Sequence, residues 1–287
     1  MKRIDLHVHS NISDGSYSPA EVIALAKKKG LAALTLSDHE SIAGNGEAAV
    51  AAAKAGVEFI PGMEMTVDYQ KRRLHIVALG FDANHPEFQK LYRKIRGIKE
   101  SKMDQLIDGI REKNVKISQE LVEPYTVIGK IDRYAIMRYL VSLNLSDHVQ
   151  PLWDQYINPT VEDLGLSNNV TAAEALPAIR AAGGVTSLAH FHKRLGLRGL
   201  TREQQEAALG DLHSLGLNGM EQYYPNYTED DQAFAMAMLK KYDLLPTGGT
   251  DFHGANRPGV ELGSGVEDNI AVPYSFYQNI CQHCKSC

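Results

Sequence analysis

Residues 3–10 have the sequence RIDLHVHS, in which polar and apolar residues alternate. This period of two predicts a β-strand with one buried face. His7 and His9 are separated by one residue, so both imidazoles lie on the same face of the strand and can bind one ion. Two histidines at this spacing are by themselves only a weak indication of a metal site. A pair of histidines with an ordinary structural role fits the sequence equally well.

Outward from this strand, short apolar runs alternate with helical patterns. Further strands are predicted at 32–38, 58–67, 74–81, 184–189, 219–224 and 244–250, and helices at 19–29, 43–55, 171–182, 201–215 and 228–242. Thr171 and Glu174 have the spacing of a capping box. Seven strands that are mostly followed by helices favour an α/β barrel. A doubly wound open sheet is the alternative, but no glycine-rich nucleotide loop follows the first strand.

Residues 85–169 interrupt this alternation. They show mostly helical periodicity, with amphipathic segments at 91–113 and 133–143. We therefore predict a discontinuous barrel domain, residues 1–84 and 170–287, with a helical insert at 85–169 that caps the substrate side.

The composition excludes some classes of partner. Thirty Lys and Arg residues against 35 Asp and Glu residues give a net charge of −5, so no overall basic field exists to hold duplex nucleic acid. A small phosphorylated substrate remains compatible with this charge. The longest apolar runs are far shorter than the ~20 residues of a membrane span, and the first residues lack the apolar region of a signal peptide. A cytoplasmic location is the expectation.

The three cysteines, Cys281, Cys284 and Cys287, all lie near the end of the chain. The first two have the C-x-x-C spacing of a zinc site, but no second pair of ligands follows them. A frayed terminus with reduced thiols is therefore expected.

Histidines and carboxylates recur on the predicted strands and at their ends. The set is His7, His9, Asp14, His39, Glu64, His75, His190, Asp251 and His253. In a parallel barrel the carboxyl ends of the strands open onto one face, where active sites are built. Imidazoles and carboxylates together suit Zn, Mn or Fe, and nine ligands are too many for one ion. The alternative is that the six histidines are unrelated residues with ordinary structural roles. This explanation would have to be true independently at six strand positions.

Five segments resemble the PHP (polymerase and histidinol phosphatase) metal-dependent phosphoesterases. They are DLHVHSNISDG at 5–15, LTLSDHESIAG at 34–44, IPGMEM at 60–65, LHIVALGF at 74–81 and GGTDFHG at 248–254. The resemblance covers residues 1–82 and about 171–265 and implies a distorted seven-stranded (βα) barrel. The insert between the fourth and fifth strands resembles the subgroup of 3′,5′-nucleotide bisphosphate phosphatases and 5′-exoribonuclease-like enzymes.

The resemblance also implies three groups of ligands that hold two or three divalent ions, Mn, Fe or Zn. The groups are His7, His9, Glu64 and Asp251; Glu64, His75 and His190; and Asp14, His39 and His253. Every ligand position has the expected residue type. The chain departs from the subgroup near the substrate, with Phe191 after His190 where proline is common, and with Arg133 in the insert without the usual neighbouring Thr and His.

The resemblance therefore predicts hydrolysis of phosphomonoesters of small metabolites, with nucleotides such as 3′,5′-bisphosphates as substrates, by a metal-bridging water that attacks phosphorus as hydroxide. His192 is a candidate acid for the leaving group. The candidate phosphate-binding cations are Arg133, Lys193, Arg194 and Arg257, with Arg133 first because its planar fork matches a phosphate. For each of them a solvated surface charge is the alternative. Tyr223, Tyr224 and Tyr227 are candidates for stacking on a base, or for ordinary packing.

Two other functions fit the same residues. One is histidinol-phosphate phosphatase, which neither the insert nor the net charge separates from a nucleotide phosphatase. The other is a non-catalytic metal-binding module.

Overall fold

The computed structural model describes residues 2–146, 149–166 and 168–286. The chain divides into two units, one formed by Met1–Tyr92 with Val170–Cys287 and the other by Arg93–Asn169. All strands of the described residues belong to the first unit. The substrate-capping role of the insert stays a prediction.

The first unit is built on one nine-stranded sheet. The strands are β1 (Arg3–Asp5), β2 (Leu31–Leu36), β3 (Glu58–Tyr69), β4 (Arg72–Leu79), β5 (Val170–Thr171), β6 (Val185–Leu188), β7 (Gly219–Tyr223), β8 (Leu245–Gly248) and β9 (Val272–Pro273). Their order is β8-β7-β6-β4-β3-β2-β1-β9, and β5 pairs with β3. Past β1 and β8, Leu6 N–H donates to Gly248 O at 3.1 Å and Val8 bridges to Phe252. These contacts bring the sheet round into a nearly closed barrel, which confirms the predicted fold class.

The twelve α-helices of the described residues follow in chain order. They are α1 (Pro19–Lys28), α2 (Asn45–Ala55), α3 (Pro86–Glu100), α4 (Met103–Arg111), α5 (Gln119–Val122), α6 (Arg133–Ser142), α7 (Val149–Leu152), α8 (Asn158–Asp163), α9 (Ala172–Ala181), α10 (Arg202–Ser214), α11 (Glu229–Lys241) and α12 (Tyr274–His283). Thr171 and Glu174 form the predicted capping box at the start of α9, in which each side chain accepts from the backbone N–H of the other residue. No described helix is both long and apolar enough to cross a membrane.

The seven predicted strands correspond to β1–β4 and β6–β8, but they are not all parallel. β3 and β4 form an antiparallel hairpin around Gln70, whose φ is +52°, and β4 is also antiparallel to β6. This reversal places the start of β4 beside the carboxyl end of β3. His75, near the start of β4, therefore lies where the other strands end.

Apolar residues on alternate positions of the strands form the core of the barrel. One cluster joins Ile4, Ile60, Val77 and Val185, from four different strands, with Phe276 of α12. Full burial of a side chain of this size contributes about 1.5–3 kcal/mol. The strands thus form a scaffold that holds polar groups at its rim.

The second unit has its own apolar core, built from helices. Ile107 and Ile110 of α4 and Ile136 and Leu140 of α6 are fully buried in it. The amphipathic segment at 91–113 is divided between two helices, because α3 ends at Glu100 and α4 begins at Met103. Apolar residues keep a helical spacing on both sides of this break, so the sequence pattern does not reveal it.

The end of the chain packs against the barrel rather than fraying. Ile280 of α12 is fully buried. Beyond the helix, Lys285 N–H donates to Gly183 O and Ser286 N–H donates to Gly80 O, both at 3.1 Å. The expected frayed terminus is wrong for residues up to Ser286, since the sequence pattern gives no sign of these backbone hydrogen bonds.

One cysteine, Cys281, differs from the expectation of reduced thiols. Cys281 is disulfide-bonded, whereas Cys284 is a half-buried thiol. Cys287 lies outside the described residues. Among those residues, the groups of side chains able to hold a metal include no cysteine.

Candidate metal centre

The segment after β1 carries His7 and His9 between the ends of β2 and β8. Val8 N–H donates to Ser37 Oγ at 3.0 Å, and Val8 makes a parallel bridge with Phe252 on its other side. This extended backbone presents the two histidines on one side, with ring centroids 5.2 Å apart. Both histidines are fully buried.

Three groups of side chains in the described residues have the geometry of metal ligands. They are His7, His9, Glu64 and Asp251; His39, Glu64 and His75; and His9, Asp14, His39 and His253. Within each group the ligand atoms lie within 4.8 Å of one another. The groups share members, so together they form one continuous centre.

The structure brings all nine predicted ligands to this centre. The first group is the one that the resemblance implies. The second has His39 where the resemblance implies His190, but His190 Nε2 lies 3.1 Å from Glu64 Oε1 and its ring centroid is 5.1 Å from that of His75. The assignment of ligands to individual ions stays a prediction.

The donor atoms of the centre fit divalent cations. Several buried donor atoms have no hydrogen-bond partner in the described part of the chain: His7 Nε2, both ring nitrogens of His9, Asp14 Oδ1, Glu64 Oε2 and His75 Nδ1. A buried polar atom without a partner is unfavourable by about 1–3 kcal/mol. Imidazole nitrogens and carboxylate oxygens are ligands that suit Zn, Mn and Fe, so ions bound at this centre would satisfy these atoms.

Comparison with known proteins identifies the family. The PHP domain family matches residues 5–163, which is more than half of the chain. This chain belongs to the PHP family. The PHP protein is accordingly a metal-dependent phosphoesterase, and its relatives carry the names of phosphatases, nucleases and phosphodiesterases.

Similarity extends over nearly the whole PHP protein. A 5′-3′ exoribonuclease of Haemophilus influenzae is 29% identical over 88% of this chain and 90% of the relative. A 3′,5′-nucleoside bisphosphate phosphatase of Chromobacterium violaceum is 28% identical over 92% of this chain and 91% of the relative. A solved structure from Bifidobacterium adolescentis, 22% identical, covers 99% of this chain and 97% of its own with a TM-score of 0.86, which supports the barrel fold.

Glu64 is the most connected carboxylate of the PHP centre. Burial disfavours its ionised form. The positive charges of His75, His7 and His39 outweigh burial and hold the pKa of the Glu64 carboxyl well below its usual value. The carboxylate is therefore ionised at neutral pH, which is the form that binds a cation.

Asp251 presents its two oxygens to different partners. Oδ1 lies 3.3 Å from His9 Nε2, inside the centre. Oδ2 accepts from Tyr224 Oη at 2.7 Å and from Arg257 Nη1 at 2.5 Å, and Lys193 Nζ lies 3.4 Å away. Burial raises the pKa of Asp251, but Arg257, His7 and Lys193 together outweigh burial, so the pKa lies well below its usual value. Two of the predicted phosphate-binding cations thus adjoin the centre and orient one of its carboxylates.

His192, the candidate acid, lies among aromatic side chains. Its ring centroid is 5.5 Å from that of Tyr224 and 5.0 Å from that of Tyr227. Burial lowers the pKa of His192, which favours the neutral imidazole at pH 7. Tyr224 and Tyr227 are committed to hydrogen bonds with Asp251 and with the carbonyl of Glu221. Proton donation by His192 and base stacking by the tyrosines stay predictions.

The remaining cation candidates are Arg194 and Arg133. Arg194 is exposed in the loop after β6. Arg133 is the first residue of α6 in the second unit, where its Nη2 donates to Leu166 O at 3.0 Å. Phosphate binding by these two arginines stays a prediction.

Two carboxylates that support the centre were missed by the sequence analysis. Glu221 of β7 is buried, and its Oε1 lies 2.6 Å from His7 Nδ1. Asp38 accepts from Ser10 N–H and from Ser13 Oγ, both at 2.8 Å, which fixes the loop after β1. Glu221 is the only charged residue of its strand. A charged residue in a strand that is expected to be buried was the signal that could have revealed it.

Gly249 allows β8 to approach the segment that carries His7. A Cβ atom at Gly249 overlaps the backbone N and Cβ of His7. Gly249→Ala is therefore expected to lower the free energy of unfolding by about 1–3 kcal/mol, because the two segments must separate. Urea unfolding measures this change. Gly46→Ala in α2, where a Cβ meets no atom within 4 Å, is the control, and an equal loss in both variants would contradict the close approach.

Proposed function

We propose that this PHP protein hydrolyses phosphomonoesters of small metabolites, with nucleotides such as 3′,5′-bisphosphates as substrates. The observation that carries the proposal is the continuous centre of imidazoles and carboxylates, with unpartnered donor atoms and two cations beside it. The 28% identical relative named 3′,5′-nucleoside bisphosphate phosphatase supports the choice of substrate. Other relatives are named as an exoribonuclease and a cyclic-phosphate phosphodiesterase. Phosphodiesters are therefore the alternative substrates against which monoesters must be compared.

The nine side chains hold two or three ions, Mn, Fe or Zn, in this proposal. Bound divalent ions supply hydroxide from water near neutral pH and neutralise phosphate oxygens. Glu64 and Asp251 are ionised and oriented before substrate arrives, which lowers the cost of reorganisation during the reaction. Lys193 and Arg257 add positive charge beside the centre, where the negative charge of a phosphate is held.

Specificity for a small substrate follows from the insert and the charge of the chain. Arg133 and Arg194 are proposed to contact a phosphate that is not hydrolysed, with the helical insert as a cap. A net charge of −5 favours small ligands over stable binding of duplex nucleic acid. The proposed location is the cytoplasm.

An assay of phosphate release tests the substrate. The purified protein, supplied with Mn²⁺ or Zn²⁺, is given p-nitrophenyl phosphate, adenosine 3′,5′-bisphosphate, AMP, histidinol phosphate and a short 5′-phosphorylated RNA. We expect the highest kcat/KM for the bisphosphate. Faster turnover of histidinol phosphate or of RNA diesters would replace the proposed substrate. A fully metal-loaded protein that hydrolyses no monoester would overturn the proposal.

A further inference from the structure

We infer that Glu221 is a positioning residue that holds two metal ligands, His7 and His190, through its two carboxylate oxygens. The inference rests on the proposed function only in taking these histidines as ligands. Glu221 lies at the middle of β7 and is buried. It belongs to none of the three ligand groups, so its contacts with the centre are indirect.

The first contact fixes the side chain of His7. Glu221 Oε1 lies 2.6 Å from His7 Nδ1. The other ring nitrogen, Nε2, lies 3.3 Å from Glu64 Oε2 and 3.5 Å from Asp251 Oδ1. When Nε2 binds a cation it carries no proton, so the proton of the neutral ring is on Nδ1 and is donated to Glu221. A carboxylate at this position therefore selects the tautomer that binds metal.

The second contact fixes the backbone of His190. The N–H of His190 donates to Glu221 Oε2 at 2.5 Å. His190 has a φ of +25°, a conformation that a residue with a Cβ rarely adopts and that needs support from its surroundings. In this conformation His190 Nε2 reaches within 3.1 Å of Glu64 Oε1. The same carboxylate thus fixes a side chain in the segment after β1 and the main chain just after β6.

A glutamine at this position cannot make both contacts. Both partners of Glu221 are donors in the metal-binding arrangement, whereas an amide has one acceptor oxygen and one donor nitrogen. Glu221→Gln therefore loses the contact to His7 Nδ1 or the contact to His190 N–H. Outer partners of this kind typically contribute about 10–100-fold to metal affinity. We expect a loss of this size for at least one ion.

The matched control is Thr247, the register partner of Glu221 on β8. Thr247 is buried, and its Oγ1 lies 2.6 Å from Ser187 Oγ, so Thr247→Val removes a buried hydrogen bond next to Glu221 without touching a ligand. Metal affinity is expected to be unchanged in Thr247→Val. Glu221→Asp keeps the charge but shortens the side chain, and it is expected to lose affinity as well.

The experiment titrates Zn²⁺ into each metal-stripped variant in competition with a chelating dye, with thermal unfolding and p-nitrophenyl phosphate hydrolysis measured alongside. Wild-type affinity in Glu221→Gln or Glu221→Asp would overturn the inference, as would an equal loss in Thr247→Val. If both Glu221 variants failed to fold, the residue would have a structural role, and the inference would also be overturned. A wild-type chain that binds Zn²⁺ but hydrolyses no phosphomonoester would refute the proposed function alone.

Discussion

Glu64→Gln is expected to lower phosphatase activity by a factor on the order of 10³ or more, because it disrupts a unit of ligands that act together. The carboxylate of Glu64 faces five imidazoles: His7, His9, His39, His75 and His190. It also belongs to two of the three ligand groups. An amide removes the negative charge and places a donor where a cation binds. At least one ion per chain is expected to be lost.

The measurements are kcat/KM with p-nitrophenyl phosphate and the metal content by elemental analysis after dialysis. Glu58→Gln is the control, because it makes the same chemical change on the same strand at an exposed position. Its activity and metal content are expected to match the wild type. A Glu64→Gln variant that keeps its ions and its activity would show that Glu64 is not a ligand. The melting temperature of each variant separates loss of ligands from loss of fold.

Most of the fold was predictable from the residue pattern, because the longer strands and helices each carry their own signal. Capping residues such as Thr171 mark where helices begin, and alternating apolar residues mark the strands. The two-residue strands β5 and β9 are too short to show a period of two. The direction of β4 was not predictable either, and His75 was placed at the correct rim although its strand runs in the opposite direction to that expected.

The candidate ligands were predictable because they lie in short motifs at strand ends. Histidine and aspartate are unusual in buried strands, so each such residue stands out in the sequence. The supporting contacts were not predictable in this way. Glu221 contacts residues 214 positions away at His7 and 31 positions away at His190. Only the closing of the barrel brings these three residues together.

The role of Tyr224 was also not predictable from the sequence pattern. The sequence places it at the end of a strand, where stacking on a base and packing are equally reasonable. In the structure its hydroxyl donates to Asp251 Oδ2 and also accepts from Arg257 Nη2 at 2.9 Å. Its role is therefore set by a carboxylate on the next strand of the barrel, and a single-strand pattern carries no information about that contact.

Removal of metal is expected to abolish phosphatase activity and to destabilise the chain. Six imidazoles and three carboxylates converge in the centre, and several of their donor atoms have no other partner in the described residues. An ion that binds only the folded chain stabilises it by about 2.7 kcal/mol when its free concentration is 100 times its Kd. Treatment with a strong chelator is expected to lower the melting temperature and to reduce hydrolysis to background.

If adding Mn²⁺ or Zn²⁺ restores the activity and the melting temperature, the loss is due to removal of metal and not to irreversible unfolding. A chelator already saturated with the same ion is the control. The barrel core of Ile4, Ile60, Val77 and Val185 contains no ligand, so the stripped chain is expected to keep its far-ultraviolet circular dichroism. Elemental analysis must show that the ions have left. Full activity in a chain verified to be free of metal would contradict the proposed chemistry, because the nine side chains would then hold no cation to supply hydroxide or to neutralise the phosphate.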